Sequence, residues 1–257
     1  MSRLASQSAV ANALEADRLG SLTAGLFAGI PVMTETAPLS ECAPTIHPQE
    51  AAQVEGAVPR RQREFAAGRA CARRALARLG IRDFVLRNGA DRAPRWPAGV
   101  VGSITHTGDA RRGFCAVAVA RTPEVAALGL DAEIGSLGEE LWDGVLTRSE
   151  RTWLGTLRDD REREQGALLI FSAKECFYKA QYPMSGRFLE FGQVEIAVEA
   201  QAQSQSEAQA GSFEVRLSRS APAALPLRRC TGRYAVDGDL LMTGITVTRL
   251  GPRAAPC

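Results

Sequence analysis

Apolar and polar residues alternate along the last quarter of the chain, which predicts consecutive β-strands. The segments with this pattern are "QVEIAVEA", "SFEVRLSR" and "GRYAVDGDLLMTGITVTRL". Three earlier segments also predict strands: "GVVGSITHTGD", "RGFCAVAVAR", which is apolar enough to be buried, and "EVAALGLDAEI". Residues 201–211, "QAQSQSEAQAG", are polar and of low complexity, so we predict a mobile hairpin loop between two of the tail strands.

Helices are indicated by their termini. The segment "RRQREFAAGRACARRALARLG" follows Pro59 and ends at Gly80, as expected for the two ends of a helix. Two further helices are predicted in "LTRSERTWLGTL" and "LLIFSAKECFYKAQ". Each contains a capping-box pattern, Thr147–Glu150 in the first and Ser172–Glu175 in the second. Ser172 would then be the N-cap of the later helix. Residues 81–96 predict a strand and a turn at "NGAD".

The order of these elements predicts an α+β fold with sequential antiparallel strands and no strict βαβ alternation. A boundary near residues 121–124 would divide the chain into an N-terminal half, 1–123, and a C-terminal half, 124–257.

Composition excludes several classes of protein. The chain has 257 residues, of which 45% are hydrophobic and 23% charged, as in soluble globular proteins. A net charge of +2 gives no bulk field for nucleic acid or a membrane surface, so neither is expected as a partner. Six cysteines without a CxxC motif indicate neither a zinc site nor a disulfide framework. Without a signal-peptide pattern or a membrane-spanning stretch, we predict a cytoplasmic location.

Two carboxylates lie two positions apart in the predicted strand "GLDAEI". Asp131 and Glu133 would therefore point to the same face of the strand, where they repel each other unless a cation lies between them. A hard divalent ion such as Mg²⁺ suits such oxygen ligands. The alternative is a pair of solvent-facing acids at a strand end.

Lys174, Glu175 and Lys179 occur in an otherwise apolar and aromatic stretch. Glu175 and Lys179 are one helical turn apart, and such a pair is also an ordinary surface feature of helices. The apolar neighbours favour a site for chemistry over a solvated surface.

Basic residues are concentrated between residues 60 and 95. Arg61 and Arg69 lie about two helical turns apart, and Arg92 follows in "DRAPRWP". Thr105 and His106 stand at a predicted turn, where a hydroxyl and an imidazole can hold a phosphate. The alternative is a solvated basic face. With only two histidines in the chain, the carboxylates, the Glu/Lys helix and the basic residues together indicate Mg²⁺-assisted phosphoryl-type transfer.

Four segments, in this order, resemble the 4'-phosphopantetheinyl transferases, and among them the enterobactin synthetase component D-like branch of the surfactin-type enzymes. They are "RRQREFAAGRACARRAL", "APRWPAGVVGSITHTGD", "LGLDAEI" and "FSAKECFYKAQYPMSGRFLEF". The resemblance implies a fold of two similar α/β halves with the active site in the cleft between them. It also favours a monomer.

The resemblance further implies transfer of the 4'-phosphopantetheine arm of coenzyme A to a serine of an acyl or peptidyl carrier protein, with Mg²⁺ as cofactor and 3',5'-ADP as product. The N-terminal half would hold the nucleotide and 3'-phosphate end of coenzyme A, and the C-terminal half the metal and the catalytic groups. Fatty acid, polyketide, nonribosomal peptide and siderophore pathways would each provide such carriers.

Residue roles also follow from the resemblance. Mg²⁺ would be bound by Asp131, Glu133 and Glu175, and Asp131 would thereby also contact coenzyme A. Glu175 would be the base, while Lys174 and Lys179 would flank the phosphates. The residues implied for the nucleotide end of coenzyme A are Arg61, Arg69, Arg92, Thr105 and His106, with Arg95 as the alternative to Arg92.

Two other functions remain open at this point. A non-catalytic module that binds coenzyme A or a nucleotide would need the basic residues but not the Glu/Lys pair. A metal-dependent phosphoesterase would hydrolyse coenzyme A without any carrier protein.

Overall fold

The computed structural model describes residues 15–39, 45–109, 112–199 and 208–248, and these form helices and two antiparallel sheets. The helices are α1 (residues 15–25), α2 (Pro48–Ala51), α3 (Pro59–Arg78), α4 (Trp142–Val145), α5 (Arg148–Leu154) and α6 (Asp160–Ser185). The strands are β1 (Val32–Pro38), β2 (Val100–Thr107), β3 (Phe114–Arg121), β4 (Val125–Ile134), β5 (Val194–Val198), β6 (Ala208–Leu217), β7 (Arg229–Asp237) and β8 (Leu240–Thr248).

The first sheet has the strand order β1-β3-β2 and the second β4-β8-β7-β6-β5. Strand β3 is the centre of the first sheet and is buried on both faces, which explains its continuous apolar sequence. On one face Cys115, Val117 and Val119 pack against α3, and on the other Ala116 and Ala118 pack into the core between the two sheets. The predicted α+β fold with antiparallel strands is therefore confirmed.

Helix α1 precedes the first sheet in sequence but packs against the second one. Its Thr23 hydroxyl lies 3.8 Å from the Met242 sulfur on β8. Gly244, also on β8, leaves room for Leu26 and Phe27, which a Cβ at that position would approach within 3.1 Å. The N-terminal helix thus joins the two sheets, and the proposed division at residue 123 stays a prediction.

Strands β2 and β4 are edge strands of different sheets, and side-chain hydroxyls connect them. Ser103 Oγ on β2 accepts a hydrogen bond from Leu130 N at 3.0 Å and lies 3.3 Å from Leu130 O. The segment of β4 that carries Asp131 therefore lies against β2, along the line where the two sheets meet.

Helix α6 lies very close to β4 because residue 129 is a glycine. A Cβ at Gly129 would be 2.1 Å from the carbonyl oxygen of Cys176, a distance that no side chain permits. On the same face of β4, Asp131 and Glu133 follow at the two-residue period of a strand. Gly129 therefore brings the two acids directly beneath the helix.

The structure corrects three local predictions. Ser172 is not a helix cap, because α6 begins twelve residues earlier at Asp160, after Asp159, whose side chain accepts from Glu162 N at 2.8 Å. No strand forms between residues 81 and 96, where the sole pairing is an isolated bridge between Asn88 and Pro94. Residues 208–211 belong to β6 and not to a loop, while residues 201–207 of that predicted loop lie outside the described residues.

The capping box at Thr147 is confirmed. The Thr147 hydroxyl accepts from Glu150 N at 3.3 Å, and Thr147 N donates to the Glu150 carboxylate at 2.7 Å. In the described part of the chain, the helices are too short or too polar to cross a membrane.

Candidate active site

Asp131 is a buried residue of the predicted site, and both of its carboxylate oxygens accept hydrogen bonds. It is 3% exposed, and its Oδ1 accepts from Lys179 Nζ at 2.6 Å and from the Thr105 hydroxyl at 3.2 Å. Its Oδ2 accepts from the Ser172 hydroxyl at 2.7 Å, which in turn lies 2.9 Å from the Thr243 hydroxyl. Groups from β2, α6 and β8 therefore fix the orientation of this carboxylate.

One face of α6 supplies the other polar groups. Ser172, Glu175, Cys176 and Lys179 recur at the i, i+3, i+4, i+7 spacing, which places them on the same side of a helix. Cys176 is the residue that lies over Gly129. Glu175 and Lys179 consequently flank the point of closest approach and lie beside the acids of β4.

Burial and neighbouring carboxylates raise the pKa of both Glu133 and Glu175. Burial, followed by the charge of Asp131, raises the pKa of Glu133 to about 7, and Glu175 raises it further. Burial and Asp131 also raise the pKa of Glu175, against the opposing effect of Lys179. A cation near these oxygens would remove the repulsion, so the donor set fits a hard divalent ion.

Lys179 is the cation that pairs with Asp131 in this acidic group. The ion pair with Asp131 raises the pKa of Lys179 although burial acts in the opposite direction. Among the described residues, no three His, Cys, Asp or Glu side chains are gathered closely enough to form a metal centre. The metal ligands Asp131, Glu133 and Glu175 therefore stay a prediction.

The region between β2 and α3 on one side and β4 and α6 on the other is here called the cleft, and the first half of the chain contributes cations to it. Arg61 Nη1 donates to His106 Nε2 at 3.1 Å, and both groups lie near the buried Glu64 carboxylate, at 3.4 Å and 3.6 Å. Burial lowers the pKa of His106, and the charges of Arg61 and Lys179 lower it further, against Glu64. His106 thus lies within electrostatic range of both the arginines and the acidic site.

Arg69 is buried with one hydrogen-bond donor unused. Its guanidinium lies 4.2 Å from the ring centroid of Phe65, and its Nη2 donates to Asn88 Oδ1 at 2.5 Å. Its Nε is the single buried side-chain nitrogen or oxygen of the described residues that has no partner. Burial lowers the pKa of Arg69 to about 10, so it remains charged at neutral pH. An unpaired buried cationic donor is suited to an anionic ligand.

Arg92 and Arg95 lie in the segment between α3 and β2. The Arg95 guanidinium pairs with Asp91 at 3.2 Å, while the exposed side chain of Arg92 has no hydrogen bond or ion pair to the described residues. Tyr182 of α6 approaches Asp91 within 3.4 Å, which brings this segment near the cleft. The assignment of Arg92 to a phosphate stays a prediction.

Two predicted residues lie in unexpected places. Lys174 does not face the cleft: its Nζ donates to Glu150 Oε2 at 2.8 Å, Val145 O at 2.8 Å and Phe191 O at 3.0 Å. The Lys174 side chain is only 1% exposed, against 27% for Lys179, so the prediction that Lys174 flanks phosphates is wrong. It follows Ser172 by two positions, which is roughly 200° around a helix and hence the opposite face. Thr105 contacts Asp131 and not the arginines.

A cavity of about 560 Å³, here named the Glu175 pocket, adjoins the acidic site. Residues 188–192 form much of its lining, and the residues that line it on the α6 side are Lys174, Glu175, Phe177 and Tyr178. Tyr178 and Phe188 make an edge-on ring contact at 5.7 Å, and Phe188 is 72% exposed at the rim. This pocket was not among the features predicted from the sequence. The signal available in the sequence was the pair of aromatic residues that follow the helix in "GRFLEF".

Comparison with known proteins identifies the class of this protein. Residues 49–120 match the family described as 4'-phosphopantetheinyl transferase N-terminal domain, and residues 127–231 match the 4'-phosphopantetheinyl transferase superfamily. The chain therefore belongs to the 4'-phosphopantetheinyl transferase superfamily of transferases. The predicted family and the predicted enzyme class are both confirmed, whereas the enterobactin synthetase component D-like branch stays a prediction.

Individual relatives agree with this assignment. The chain is 42% identical to the 4'-phosphopantetheinyl transferase Svp of Streptomyces mobaraensis over 208 residues, 79% of this chain and 78% of the relative. It is 34% identical to the 4'-phosphopantetheinyl transferase Npt of Nocardia iowensis over 222 residues, 84% of this chain and 96% of the relative. It is 33% identical to the 4'-phosphopantetheinyl transferase PptT of Mycobacterium tuberculosis over 207 residues, 78% of this chain and 85% of the relative.

Proposed function

We propose that this protein transfers the 4'-phosphopantetheine arm of coenzyme A to a serine of an acyl or peptidyl carrier protein and releases 3',5'-ADP. The observation that carries the proposal is the placement of Glu175 and Lys179 on one face of α6, against the buried Asp131. A Mg²⁺ requirement and a cytoplasmic location are parts of the same proposal.

The basic side of the cleft would bind the nucleotide end of coenzyme A. The unpaired Nε of Arg69 supports this, because a buried guanidinium donor without an acceptor is costly until an anion meets it. Arg61 and His106 contact each other, and His106 is within electrostatic range of Lys179. These three residues would hold the 3'-phosphate and the adjacent nucleotide.

The acidic side would hold Mg²⁺ through Asp131, Glu133 and Glu175. When bound, the ion supplies positive charge against the pyrophosphate. Lys179, which is 27% exposed and therefore reachable from the cleft, would stabilise the charge that develops on the departing 3',5'-ADP.

Glu175 would act as the base. The serine oxygen attacks the phosphorus that bears the pantetheine arm, the bond to 3',5'-ADP breaks, and the hydroxyl proton passes to the Glu175 carboxylate. The raised pKa of Glu175, caused mainly by burial, makes this carboxylate a better proton acceptor than an exposed glutamate.

The direct experiment is incubation with coenzyme A, Mg²⁺ and a panel of apo-carriers from fatty acid, polyketide, nonribosomal peptide and siderophore systems. Intact-mass measurement should show the added phosphopantetheine on at least one carrier, and a serine-to-alanine carrier should remain unmodified. Hydrolysis of coenzyme A in the absence of carriers, with no mass gain on any carrier, would instead identify a phosphoesterase. Tight binding of coenzyme A without either reaction would identify a binding module.

A further inference from the structure

Helix α6 carries a charged residue that the cleft chemistry leaves unused. Lys174 directly precedes Glu175, but its ammonium group is 1% exposed and bonded to three protein oxygens. Two of these are the backbone carbonyls of Val145, at the end of α4, and Phe191, in the turn before β5. One side chain therefore connects three segments at the position next to the proposed base.

Glu150 completes this connection. Its Oε2 accepts from Lys174 Nζ and from Thr147 N at 2.7 Å, and its Oε1 accepts from Ile196 N at 2.8 Å. Its side chain is fully buried. The ion pair thus links the start of α5 and strand β5 to the same point on α6.

The linked segments form the wall of the Glu175 pocket that faces α6. Gly144, Phe191, Gly192 and Val194 line this wall, and each belongs to or adjoins a segment that Lys174 or Glu150 bonds. Glu175 lines the same pocket from the helix. The length of the Lys174 side chain therefore sets the distance between the wall and Glu175.

We infer that Lys174, anchored by Glu150, is a positioning residue that fixes the width of the Glu175 pocket and so selects the groups admitted beside the reacting phosphorus. This rests on the proposed function. With the nucleotide on the basic side of the cleft, the pantetheine arm and the incoming serine are the groups left to occupy the space beside Glu175.

Loss of the Lys174 ammonium would change this wall for a physical reason. The carbonyls of Val145 and Phe191 would lose their donor inside the protein, and Glu150 would lose its counter-charge. Buried groups left in this way recover hydrogen bonds by moving towards water. The wall segments would then move away from α6, and the pocket would widen.

A second ion pair that involves a fully buried glutamate provides the control; its cation, Arg73, is 31% exposed, against 1% for Lys174. Glu50 of α2 is fully buried, accepts from Leu86 N at 3.0 Å, and pairs with Arg73 of α3 at 2.8 Å. The Glu50 pair joins a short helix to a long one as the Glu150 pair does, but its residues line no part of the Glu175 pocket. Lys174→Met and Arg73→Met therefore remove the cation from comparable buried carboxylates.

The test compares kcat/KM for coenzyme A with kcat/KM for an analogue that has one additional methylene in the pantetheine arm. Because both substrates are assayed on one enzyme preparation, the folded fraction cancels from the ratio. We expect Lys174→Met to shift this ratio about tenfold towards the longer analogue, the size of effect that one methylene has in a well-fitted pocket. Arg73→Met should leave the ratio unchanged.

The ratio of kcat/KM for coenzyme A to kcat/KM for 3'-dephospho-coenzyme A reports on the nucleotide end of the substrate. It should not respond to Lys174→Met. An unchanged arm ratio in folded Lys174→Met, or an equal shift in Arg73→Met, would overturn the inference. If Lys174→Met does not fold, Lys174→Gln is measured in its place against the same criteria. A wild-type enzyme that modifies no carrier would instead refute the proposed function itself.

Discussion

Helices α3 and α6 present opposite chemistry to the cleft, although each is the long helix that packs on the sheet of its own half. Helix α3 contributes Arg61 and Arg69, with Glu64 as the nearby acid. Helix α6 contributes Glu175 and Lys179 beside the carboxylates of β4. Under the proposed function, one side of the cleft would receive the anionic nucleotide end, and the other the metal ion and the serine proton.

Beneath this difference the two halves share a local construction. In each, a short helix carries a buried glutamate, Glu50 or Glu150, that bonds a backbone N–H and pairs with a cation on the long helix. The shared part supports the scaffold, and the divergent part lies at the cleft. The comparison teaches that two similar supporting pairs carry different side chains at the cleft, basic on α3 and mainly acidic beside α6.

The largest expected effect is on the acidic side. Glu175→Gln should lower kcat about 10²–10⁴-fold, since the variant lacks the base that accepts the serine proton. The melting temperature should not fall, because a buried carboxylate with a raised pKa is replaced by a neutral side chain. Carrier mass shift and thermal unfolding measure the two effects. Undiminished transfer would exclude Glu175 as the base.

Lys179→Met should be the next most severe change, with kcat reduced about 10²-fold because the developing charge on 3',5'-ADP loses its cation. The variant also leaves the buried Asp131 without its ion-pair partner, so stability should decrease as well. Single-turnover transfer at saturating coenzyme A isolates the chemical step. A variant with a normal rate and only a higher KM would reassign Lys179 to substrate binding.

On the basic side, Arg69→Met should weaken coenzyme A binding about 10–100-fold, as expected for loss of a charge-assisted hydrogen bond. Affinity for 3'-dephospho-coenzyme A should change little if the arginine meets the 3'-phosphate. Calorimetry on both ligands gives the comparison. Arg74→Met is the matched control, because Arg74 lies on the same helix but pairs with Glu35 away from the cleft. Equal losses for both ligands would remove Arg69 from the 3'-phosphate site.

The smallest expected effect concerns pH. The pKa of Glu133 is about 7 in the folded protein, above the usual value for glutamate, so the unfolded chain releases this proton first as pH rises. Stability of the metal-free protein should therefore decline between about pH 4.5 and 7. Glu133→Gln should make that decline smaller, with higher melting temperatures than wild type at pH 8 and equal ones at pH 4; the part that remains comes from Glu175, whose pKa is also raised. The exposed Glu139→Gln variant should reproduce the wild-type profile.

Much of the fold could be predicted from the sequence because it depends on local periodicity. Pro59 and the glycine at 80 delimit α3, and the strands β2, β3 and β4 follow from their apolar patterns. The start of α6 was predicted wrongly because two segments have the local pattern of a cap. The helix begins at Asp160 after the Asp159 cap, whereas the Ser172 hydroxyl bonds Asp131, a tertiary contact that a local pattern does not show.

The candidate site, too, could be predicted from the sequence only in part. The order of motifs along the chain was sufficient to identify the family and to name Asp131, Glu133, Glu175 and Lys179 as candidates, because residue type and spacing are properties of the sequence. The role of Lys174 could not be predicted from the sequence. Lys174 and Glu175 are adjacent charged residues that look equivalent in sequence, but a helix turns them to different faces. Only the packing of α6, against β4 on one side and against α5 and β5 on the other, decided which charge faces the cleft and which is buried.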